Sequence, residues 1–470
     1  MKLDTLRRMV KDREIEFLDL KFCDLPGRWH HLTLPASSLK ASLFSDGVGV
    51  DGSSVPGWAS IERGDMIMRP DPATAFVDPF FERPTLSMIG NIVATGKKME
   101  PYSRDPRRVA ADAERFLAKT LKGSTIVLGP EFEFYVFDRV NFFQGSAAGF
   151  YELYSDEAQW HPGEDEENLG YKIPYKKGYH AAPPRDRTYN LRSEICALLA
   201  DVGIPIKYHH HEVGGGGQHE IEVDFDTLLR MADKSMLVKY VVKNYTFSQN
   251  QSATFMPKPL FDEPGSGLHV HQYLAGAGGS LFYGKTGPAQ LSELGRHYIG
   301  GLLKHVDSMV AFSNPSTNSF KRLIPGFEAP VAGTYSVANR TACVRIPGYQ
   351  RDPKTMRIEF RTGDGTMNAY LAYAAMLMAG LDGIRNKIDP GLPLDKNLDA
   401  MSAEALARIH HLPASLEEAL DALEADHDYL LKGGVFTEDL VESWVAIKRR
   451  EILDINKRPT PYEFERYYDA

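Results

Sequence analysis

Ionisable side chains recur at every second position in three short segments of this chain. The first, TIVLGPEFEFYVF at 125–137, contains Glu131 and Glu133, and a β-strand would carry both carboxylates on one face. Two neighbouring carboxylates repel each other, and one takes up a proton unless a cation lies beside them. The segment therefore predicts a cation site or, alternatively, a solvent-exposed strand face.

The other two segments alternate in the same way. In GSGLHVHQY, one face of a strand would carry His269, His271 and Tyr273. Histidines spaced like this serve as a metal ligand with a stacking partner, or as hydrogen-bonded groups of the core. In MRIEFRTGD, one face would carry Arg357, Glu359 and Arg361. That row is either a surface ladder of ion pairs or an anion-binding row that includes one metal ligand.

The stretch KYHHHEVGGGGQHEIEV at 207–223 permits three interpretations: a histidine metal cluster, a glycine-rich phosphate cradle or a pair of acidic metal ligands. We favour the last. The glycines are typical of a tight bend between strands, with positive φ and a close approach to substrate. Such a bend would bring Glu212 and Glu220 to one ion, while His209 to His211 orient the strand or border the pocket.

Two loops rich in Gly, Pro and Asn, NPSTNSFKRLIPGFEAP and NRTACVRIPG, add further charged groups, and such loops often carry function. These groups are Arg322, Glu328, Arg340 and Arg345. Carboxylates with one or two histidines favour hard divalent ions, Mg²⁺ or Mn²⁺, over zinc. Arginines beside metal ligands indicate an anionic substrate and phosphoryl transfer. The sequence has no phosphate-loop, kinase or dinucleotide signature, so another fold would hold a nucleotide.

Composition narrows the class of protein. The net charge is −9 and no run of Lys and Arg exceeds three residues, which argues against a nucleic-acid or membrane surface. The longest apolar run, AYLAYAAMLMAGL, is too short to span a bilayer and predicts a buried helix. The charged N-terminus does not resemble a signal peptide, and three distant cysteines are typical of a reducing cytoplasm.

Periodicity predicts an α+β fold with a domain boundary near 100–105. A hairpin should turn at 24–27, and a helix should begin at 103–106. Later strands are expected at 125–137, 218–225, 267–274 and 356–361. Helices are expected at 189–203, 227–247, 291–311 and 366–386. Residues 141–178 have no period and predict a long surface loop, and the chain from about 414 should be mostly helical.

Several longer motifs occur together in a specific order. They are DGSS (51–54), GPEFEF (129–134), HHEVGGGGQHEI (210–221), ATFMPKPLF (253–261), GSGLHVH (265–271), NPSTNSFKRLIPGFEAPV (314–331), NRTACVRIP (339–347), RIEFR (357–361) and KNL (396–398). With these motifs the chain resembles bacterial type I glutamine synthetase over nearly its whole length. The resemblance implies a small N-terminal β-grasp domain (1–103) and a large catalytic α+β domain (104–470), with a curved antiparallel sheet and a C-terminal helical strap.

The resemblance also implies a reaction, the ATP-dependent condensation of L-glutamate with ammonia through γ-glutamyl phosphate, and at least two Mg²⁺ or Mn²⁺ ions per subunit. One ion would be held by Glu133, Glu212 and Glu220. The other, bridging the ATP phosphates, would be held by Glu131, His269 and Glu359.

The remaining site residues implied by the resemblance fall into three groups. Glutamate would be held by Arg322, Arg340, Arg361 and the region of Gly265. ATP would meet Arg345, Lys354, Arg357 and Arg340 at its phosphates, and Lys207, His271 and Tyr273 at its nucleoside. Ammonium would be captured by Tyr179, Glu212, Glu328 and, from a neighbouring subunit, Asp51 and Ser54. Asp51 would deprotonate ammonium, and Glu328 would close the site and accept a proton from the adduct.

The resemblance further implies a cytoplasmic dodecamer of two hexameric rings. This chain departs from the family pattern at three positions. Asp399 replaces the tyrosine that is adenylylated in some members, Ser60 stands where feedback-inhibited members carry arginine, and Pro264 replaces an asparagine that contacts glutamate. Pro264 favours an alternative function, that of a related ligase that joins glutamate to a polyamine or another amine. An inactive scaffold is the third possibility, although the intact ligand set argues against it.

Overall fold

A computed structural model describes residues 1–96, 99–160, 169–327, 329–350, 352–396, 401–402, 404, 407 and 409–470. The N-terminal part is a twisted mixed sheet with two short helices. Its elements are α1 (Leu3–Asp12), β1 (Phe17–Cys23), β2 (Trp29–Pro35), α2 (Ala41–Ser45), β3 (Val48–Asp51), β4 (Asp65–Pro70), β5 (Phe76–Val77), β6 (Thr85–Ala94) and β7 (Glu100–Pro101). The strand order is β2-β1-β6-β4-β3, with β5 and β7 added to β6. Only the β1–β6 pair among them runs parallel. As predicted, β1 and β2 form a hairpin, whose turn is closed by a hydrogen bond from Gly27 N to Asp24 O (3.1 Å).

The second part contains the strands that matter for the site. They are β8 (Thr125–Phe137), β9 (Arg139–Gln144), β10 (Gly149–Tyr154), β11 (Ile206–His211), β12 (Gln218–Val223), β13 (Asp226–Thr227), β14 (Ser252–Thr254), β15 (Leu268–Gly276), β16 (Gly279–Ser280), β17 (Ala332–Val337), β18 (Ala342–Ile346) and β19 (Ile358–Phe360). Ten of them form one sheet in the order β11-β12-β8-β15-β19-β18-β17, with β13, β14 and β16 at its side. Its pairs are antiparallel except β17–β18, and β9–β10 is a separate hairpin.

Helices form the other elements of the second part. They are α3 (Pro106–Thr120), α4 (Tyr189–Asp201), α5 (Leu228–Ser248), α6 (Glu293–Lys304), α7 (Val306–Ser313), α8 (Ser319–Arg322), α9 (Ala369–Asn386), α10 (Leu416–Ala425), α11 (Asp428–Leu431), α12 (Glu438–Asn456) and α13 (Pro461–Tyr467). The apolar run identified in the sequence lies in α9, which is buried over nearly its whole length. No helix in the described part of the chain is long and apolar enough to cross a membrane.

A buried arginine joins the N-terminal sheet to the helices. Arg107 donates from Nε and Nη2 to the two carboxylate oxygens of Asp233, each at 2.9 Å. It also donates to Asp71 (2.8 Å) and Asn91 (2.7 Å) of the N-terminal part. Arg107 lies in the first turn of α3, and Asp105 caps that helix from its N-terminus. The 103–106 helix start is therefore confirmed, and its first turn anchors the two parts to each other.

Most predicted elements are confirmed, together with the α+β class and the β-grasp and catalytic parts. Two predictions are wrong in detail. The helix expected at 291–311 breaks at His305, whose backbone is non-helical and whose ring nitrogens are held by Asp426 (2.7 Å) and Asp382 (3.0 Å). The loop expected at 141–178 includes most of the β9–β10 hairpin, which puts aromatic side chains on the surface and so hides its strand character. The division into 1–103 and 104–470 stays a prediction.

Candidate active site

The centre of the large sheet brings the alternating charged residues together. β8 lies between β12 and β15, and their register places predicted ligands directly opposite one another. The pairs are Glu133 with Glu220, Glu131 with Glu222, Glu131 with His269, and His271 with Glu359. Because side chains alternate along each strand, these groups share one face of the sheet. The face is largely buried: Glu131 and Glu133 are 9% exposed and Glu359 is fully buried.

One cluster on this face consists of His210, Glu212 and Glu220, whose ligand atoms lie within 4.8 Å of one another. His210 Nε2 is 3.4 Å from Glu220 Oε1, and His210 Nδ1 is 3.9 Å from Glu212 Oε1. Burial, followed by repulsion from Glu133 and Glu220, raises the pKa of Glu212 to about 8. Burial and the carboxylates of Glu131 and Glu133 raise the pKa of Glu220 well above its usual range. These two carboxyl groups therefore favour the protonated form unless a cation lies beside them.

A second cluster consists of Glu131, His271 and Glu359. His271 Nε2 is 2.8 Å from Glu131 Oε1, and His269 Nδ1 is 3.0 Å from Glu131 Oε2. Burial opposes the ionisation of Glu131, but the two histidines outweigh it and hold its pKa well below the usual range. Burial likewise opposes the ionisation of Glu359, whose pKa is lowered by Arg361 and His271. Both carboxylates are thus held in the ionised form in a buried setting, as a cation ligand would need to be.

The donor chemistry of both clusters fits hard divalent cations. Buried carboxylate oxygens predominate, with imidazole nitrogens at the edges, which is the donor set that Mg²⁺ and Mn²⁺ accept. Burial and, after it, repulsion among the carboxylates raise the pKa of Glu212 and Glu220, and a cation between them would relieve that repulsion. The two clusters contain four of the six predicted ligands, with His210 in place of Glu133 and His271 in place of His269. Glu133 and His269 lie beside them, 3.8 Å apart, and the assignment of ligands to two ions stays a prediction.

The glycine run forms a bend between β11 and β12, as predicted. Gly217 has φ +86°, a conformation that suits glycine. Gly214 N donates to Gln218 Oε1 (2.8 Å) and Gly215 N donates to Glu263 Oε2 (3.2 Å). Since side chains already occupy these amide groups, the run does not present them to a phosphate. His210 belongs to the first cluster, whereas His209 and His211 lie on the opposite face of β11.

Three of the arginines predicted to bind substrate, Arg322, Arg345 and Arg361, lie beside the second cluster, whereas the Arg340 side chain interacts with Tyr179. Glu359 accepts hydrogen bonds from Arg345 and Arg361, and the Arg361 Nε group donates to Arg340 O (3.0 Å). Arg322 is buried and donates to the carbonyl oxygens of residues 361–363, the shortest bond being 2.7 Å to Thr362 O. Its Nη2 also lies 3.3 Å from His269 Nε2. Arg322 therefore connects the segment at 361–363 to His269 of β15.

Gly265 packs against Arg322. A methyl group there would come within 2.5 Å of Pro257 O and 2.7 Å of Arg322 Cγ, so the position has no room for a side chain. The neighbouring Pro264 contributes its carbonyl oxygen to a hydrogen bond from the Tyr135 hydroxyl (2.7 Å). The backbone beside the predicted glutamate site is thus held firmly despite the proline.

On the predicted nucleotide side, aromatic and cationic groups lie close together. The Arg357 guanidinium lies 5.3 Å from the ring centroid of Phe225 and 5.8 Å from that of Tyr349. Its Nε has no hydrogen-bond partner among the described residues although it is buried. The rings of His271 and Tyr273 lie 6.2 and 6.3 Å from Phe225. These groups form a flat-walled region suited to an aromatic base beside an anion.

Two lysines predicted to bind ATP differ in their surroundings. Lys207 forms an ion pair with the buried carboxylate of Glu222, at the edge of the same region. Lys354 lies in an exposed turn, and its backbone N–H donates to Asp352 Oδ1 (2.9 Å). Lys207 is thus already neutralised, whereas the Lys354 side chain extends toward solvent.

The residues predicted to capture ammonium are divided between two places. Tyr179 stacks on His180 (4.2 Å) and meets the His210 ring edge-on (5.6 Å). Burial and the charge of Glu212 raise the pKa of the Tyr179 hydroxyl. Asp51, the last residue of β3, and Ser54 lie instead where the exposed loop after β3 begins, and the Ser54 hydroxyl donates to Asp51 Oδ2 (2.8 Å). The chain gives no described contact between that loop and the clusters, and Glu328 and Asp399 lie outside the described residues.

Sequence reasoning missed three residues of this face. Glu222 lies opposite Glu131, and its position two residues after Glu220 on a strand was an available signal. His210 was predicted only to border the pocket, and the pairing register of β11 with β12, which the sequence does not show, places it opposite Glu220. Phe225 had no signal, because it reaches the nucleotide side from a loop beyond β12.

Comparisons with known proteins agree with this architecture. The glutamine synthetase β-grasp domain family matches residues 14–95, and the glutamine synthetase catalytic domain family matches residues 103–467. A glutamine synthetase from Frankia alni is 49% identical over 471 residues, covering 100% of this chain and 99% of the relative. One from Mycobacterium tuberculosis is 48% identical, with 99% of both chains covered.

A solved structure of Plasmodium falciparum glutamine synthetase superimposes with a TM-score of 0.90 at 27% identity, covering 100% of this chain and 99% of that one. Domain families, full-length relatives and fold therefore point the same way. The chain belongs to the glutamine synthetase family and is a ligase that makes glutamine.

Proposed function

We propose that this chain joins L-glutamate to ammonia in two steps, with ATP first converting the γ-carboxylate into γ-glutamyl phosphate. One observation supports the proposal most strongly: two carboxylate and imidazole clusters lie side by side on adjacent strands and are bordered by guanidinium groups. A site of that composition suits a substrate that is itself an anion and reacts with a phosphoryl group.

Two or more divalent ions, Mg²⁺ or Mn²⁺, would occupy these clusters. Glu133, Glu212 and Glu220 would hold one ion, and Glu131, His269 and Glu359 would hold the other. When bound, such ions screen phosphate charge and make the phosphorus more electrophilic. His210 and His271 offer further nitrogens beside the two sets.

The cationic side chains would bind the reacting anions. Arg345 and Arg357 would stabilise charge that develops on the transferred phosphoryl group. Lys354 and Arg340 would also bind the ATP phosphates. Arg340, Arg361 and Arg322 would hold glutamate next to Gly265. Lys207, His271 and Tyr273 would flank the nucleoside, where Phe225 supplies a ring face.

Ammonium would bind between two subunits. Hydrogen bonds from the Ser53 and Ser54 hydroxyls and from Ser53 N lower the pKa of Asp51, so this carboxylate stays ionised and suits a cation. Asp51 from the neighbouring subunit would deprotonate ammonium next to Tyr179 and Glu212. Glu328 would close the site and take a proton from the tetrahedral adduct, a task that needs a carboxylate.

We further infer a cytoplasmic dodecamer of two hexameric rings. The free thiols of Cys23, Cys196 and Cys343 are compatible with a reducing compartment. Exposed apolar side chains on the last helices, including Leu453 (57%) and Tyr467 (67%), support their use as an inter-ring strap. Light scattering would measure the assembly directly.

The reaction is tested by supplying ATP, Mg²⁺ and L-glutamate and measuring phosphate release with different amines. We expect strong release with ammonium and little with putrescine, ethanolamine or no amine. Release with ammonium no greater than without amine would refute the proposal. Preference for putrescine or ethanolamine would instead support the alternative amine ligase, which the named relatives do not favour.

A further inference from the structure

A buried pair, His211 and Glu157, lies directly behind the first cluster. The two residues are 1% and 2% exposed. His211 Nε2 lies 3.1 Å from Glu157 Oε2, and His211 Nδ1 lies 2.7 Å from the carbonyl oxygen of Glu212. A carbonyl oxygen only accepts hydrogen bonds, so Nδ1 carries the hydrogen and donates it. The imidazole ring is therefore held at both of its nitrogens.

Glu157 is itself fixed by its surroundings. Its Oε1 accepts hydrogen bonds from Arg187 N (2.7 Å) and from the Thr188 hydroxyl (3.2 Å). Its backbone carbonyl accepts another from Ile173 N (2.8 Å). These bonds tie Glu157 to two separate segments, 187–188 and the one that contains Ile173, so the carboxylate is a rigid support for the His211 ring.

The backbone beside His211 is paired with the turn that carries Tyr179. His180 N donates to His211 O (3.0 Å) and Gly178 N donates to Val213 O (2.9 Å). The intervening carbonyl, that of Glu212, is the one that accepts from the His211 ring. The carbonyl groups of residues 211, 212 and 213 therefore all accept hydrogen bonds. The middle one accepts from the His211 side chain, and the outer two accept from the backbone of the Tyr179 turn.

We propose that His211, supported by Glu157, is a positioning residue that fixes Glu212 relative to Tyr179 on the ammonium side of the reaction. The inference rests on the function proposed above for Glu212 and Tyr179. His211 has no described hydrogen bond to the arginines or to the nucleotide side. Its loss should therefore weaken the use of ammonium more than the binding of ATP or glutamate.

Two substitutions at this position separate its two hydrogen bonds. The amide nitrogen of asparagine occupies the place of Nδ1, so His211→Asn keeps the donor to Glu212 O. The amide of glutamine occupies the place of Nε2, so His211→Gln keeps the contact with Glu157 but loses that donor. His209→Gln, on the same strand and face but without contact to Glu212, is the matched control.

We expect His211→Gln to raise KM for ammonium about tenfold, the effect of losing roughly 1.4 kcal/mol, a typical contribution of one buried hydrogen bond. KM for ATP and for glutamate should change less than about threefold, and His211→Asn and His209→Gln should stay near wild type on all three constants. Amide hydrogen exchange at 178–181 should be faster in His211→Gln than in His211→Asn. Thermal unfolding and light scattering check that the variants fold and assemble.

Equal effects of the asparagine and glutamine variants, or equal changes in all three KM values, would overturn the positioning role. If His211→Gln does not assemble, Glu157→Leu replaces it, because it frees the ring from behind and should produce the same ammonium-specific rise. A wild-type chain without ammonium-dependent turnover would refute the proposed function itself. An active wild-type chain with indistinguishable variants would refute only the role of His211.

Discussion

Gly178 provides a test of the tight contact between the Tyr179 turn and Glu212. A methyl group at Gly178 would lie 2.4 Å from Glu212 O and 2.6 Å from Cε1 of His211. Its backbone is not in the left-handed region, so alanine brings a steric conflict rather than conformational strain. Gly178→Ala should therefore push the turn away from Glu212.

The size of the effect follows from that distance. An ordinary contact for such a carbon begins at 3.4 Å, so the turn or the strand must give way by 3.4 − 2.4 = 1.0 Å. Overpacking of this kind costs about 1–3 kcal/mol, and a misplacement of ~1 Å near reacting groups reduces rates by up to about 100-fold. We expect kcat/KM for ammonium to fall about 10- to 100-fold.

The assay is steady-state phosphate release with each substrate varied in turn. KM for ATP and for glutamate should change less than about threefold, because the displaced turn lies on the ammonium side. Gly278→Ala is the control, since a methyl group there meets no atom within 4 Å. A fall below about twofold in an intact assembly, or equal losses for all three substrates, would refute the close packing described here.

On the nucleotide side, Gly129→Ala would place a methyl group 2.6 Å from Cζ of Phe225. This substitution should raise KM for ATP but not KM for ammonium in kinetic assays. An unchanged KM for ATP would show that the Phe225 ring can move aside without affecting ATP binding. Arg107→Met leaves the buried carboxylate of Asp233 without its guanidinium, which should cost about 3–5 kcal/mol in urea unfolding, and a loss below ~1 kcal/mol would contradict the anchoring role. Burial raises the pKa of Asp105 from 3.8 to about 6. Between pH 3.8 and about pH 6, Asp105 is therefore protonated in the folded chain and ionised in the unfolded chain. Stability should consequently fall by up to about 3 kcal/mol as the pH rises through that window, and Asp105→Asn should remove this slope in unfolding experiments at several pH values; an identical slope in the variant would exclude Asp105 as its source.

Local periodicity was sufficient to predict the strands that carry the site. Glu131 and Glu133 on β8, and the alternating residues of β15 and β19, follow a repeat of two that is visible without any partner strand. Helix starts were equally readable, because Asp105 and Pro106 are local signals that act within one turn. The helix expected at 291–311 was wrong because its break at His305 depends on two aspartates that are remote in sequence.

The histidine and glycine stretch illustrates the limit of such reasoning. The sequence correctly indicated a bend that brings Glu212 and Glu220 together, since glycine composition and strand period are local properties. It did not indicate which of the three histidines faces the carboxylates. The pairing register of β11 with β12 assigns His210 to that face, and a shift of one residue would have reversed the assignment.

The sequence by itself determined the residue types from which a hard-metal, anion-binding site is proposed, and it determined the strand repeat that groups them in pairs. Tertiary structure alone decided which pairs meet. Glu131 forms hydrogen bonds with both His269 and His271. Glu222 pairs with Lys207, and Glu157 contacts His211, which is 54 residues away in the sequence. The physical reason is that strand register and packing are fixed by burial of the whole core, which no local window of residues contains.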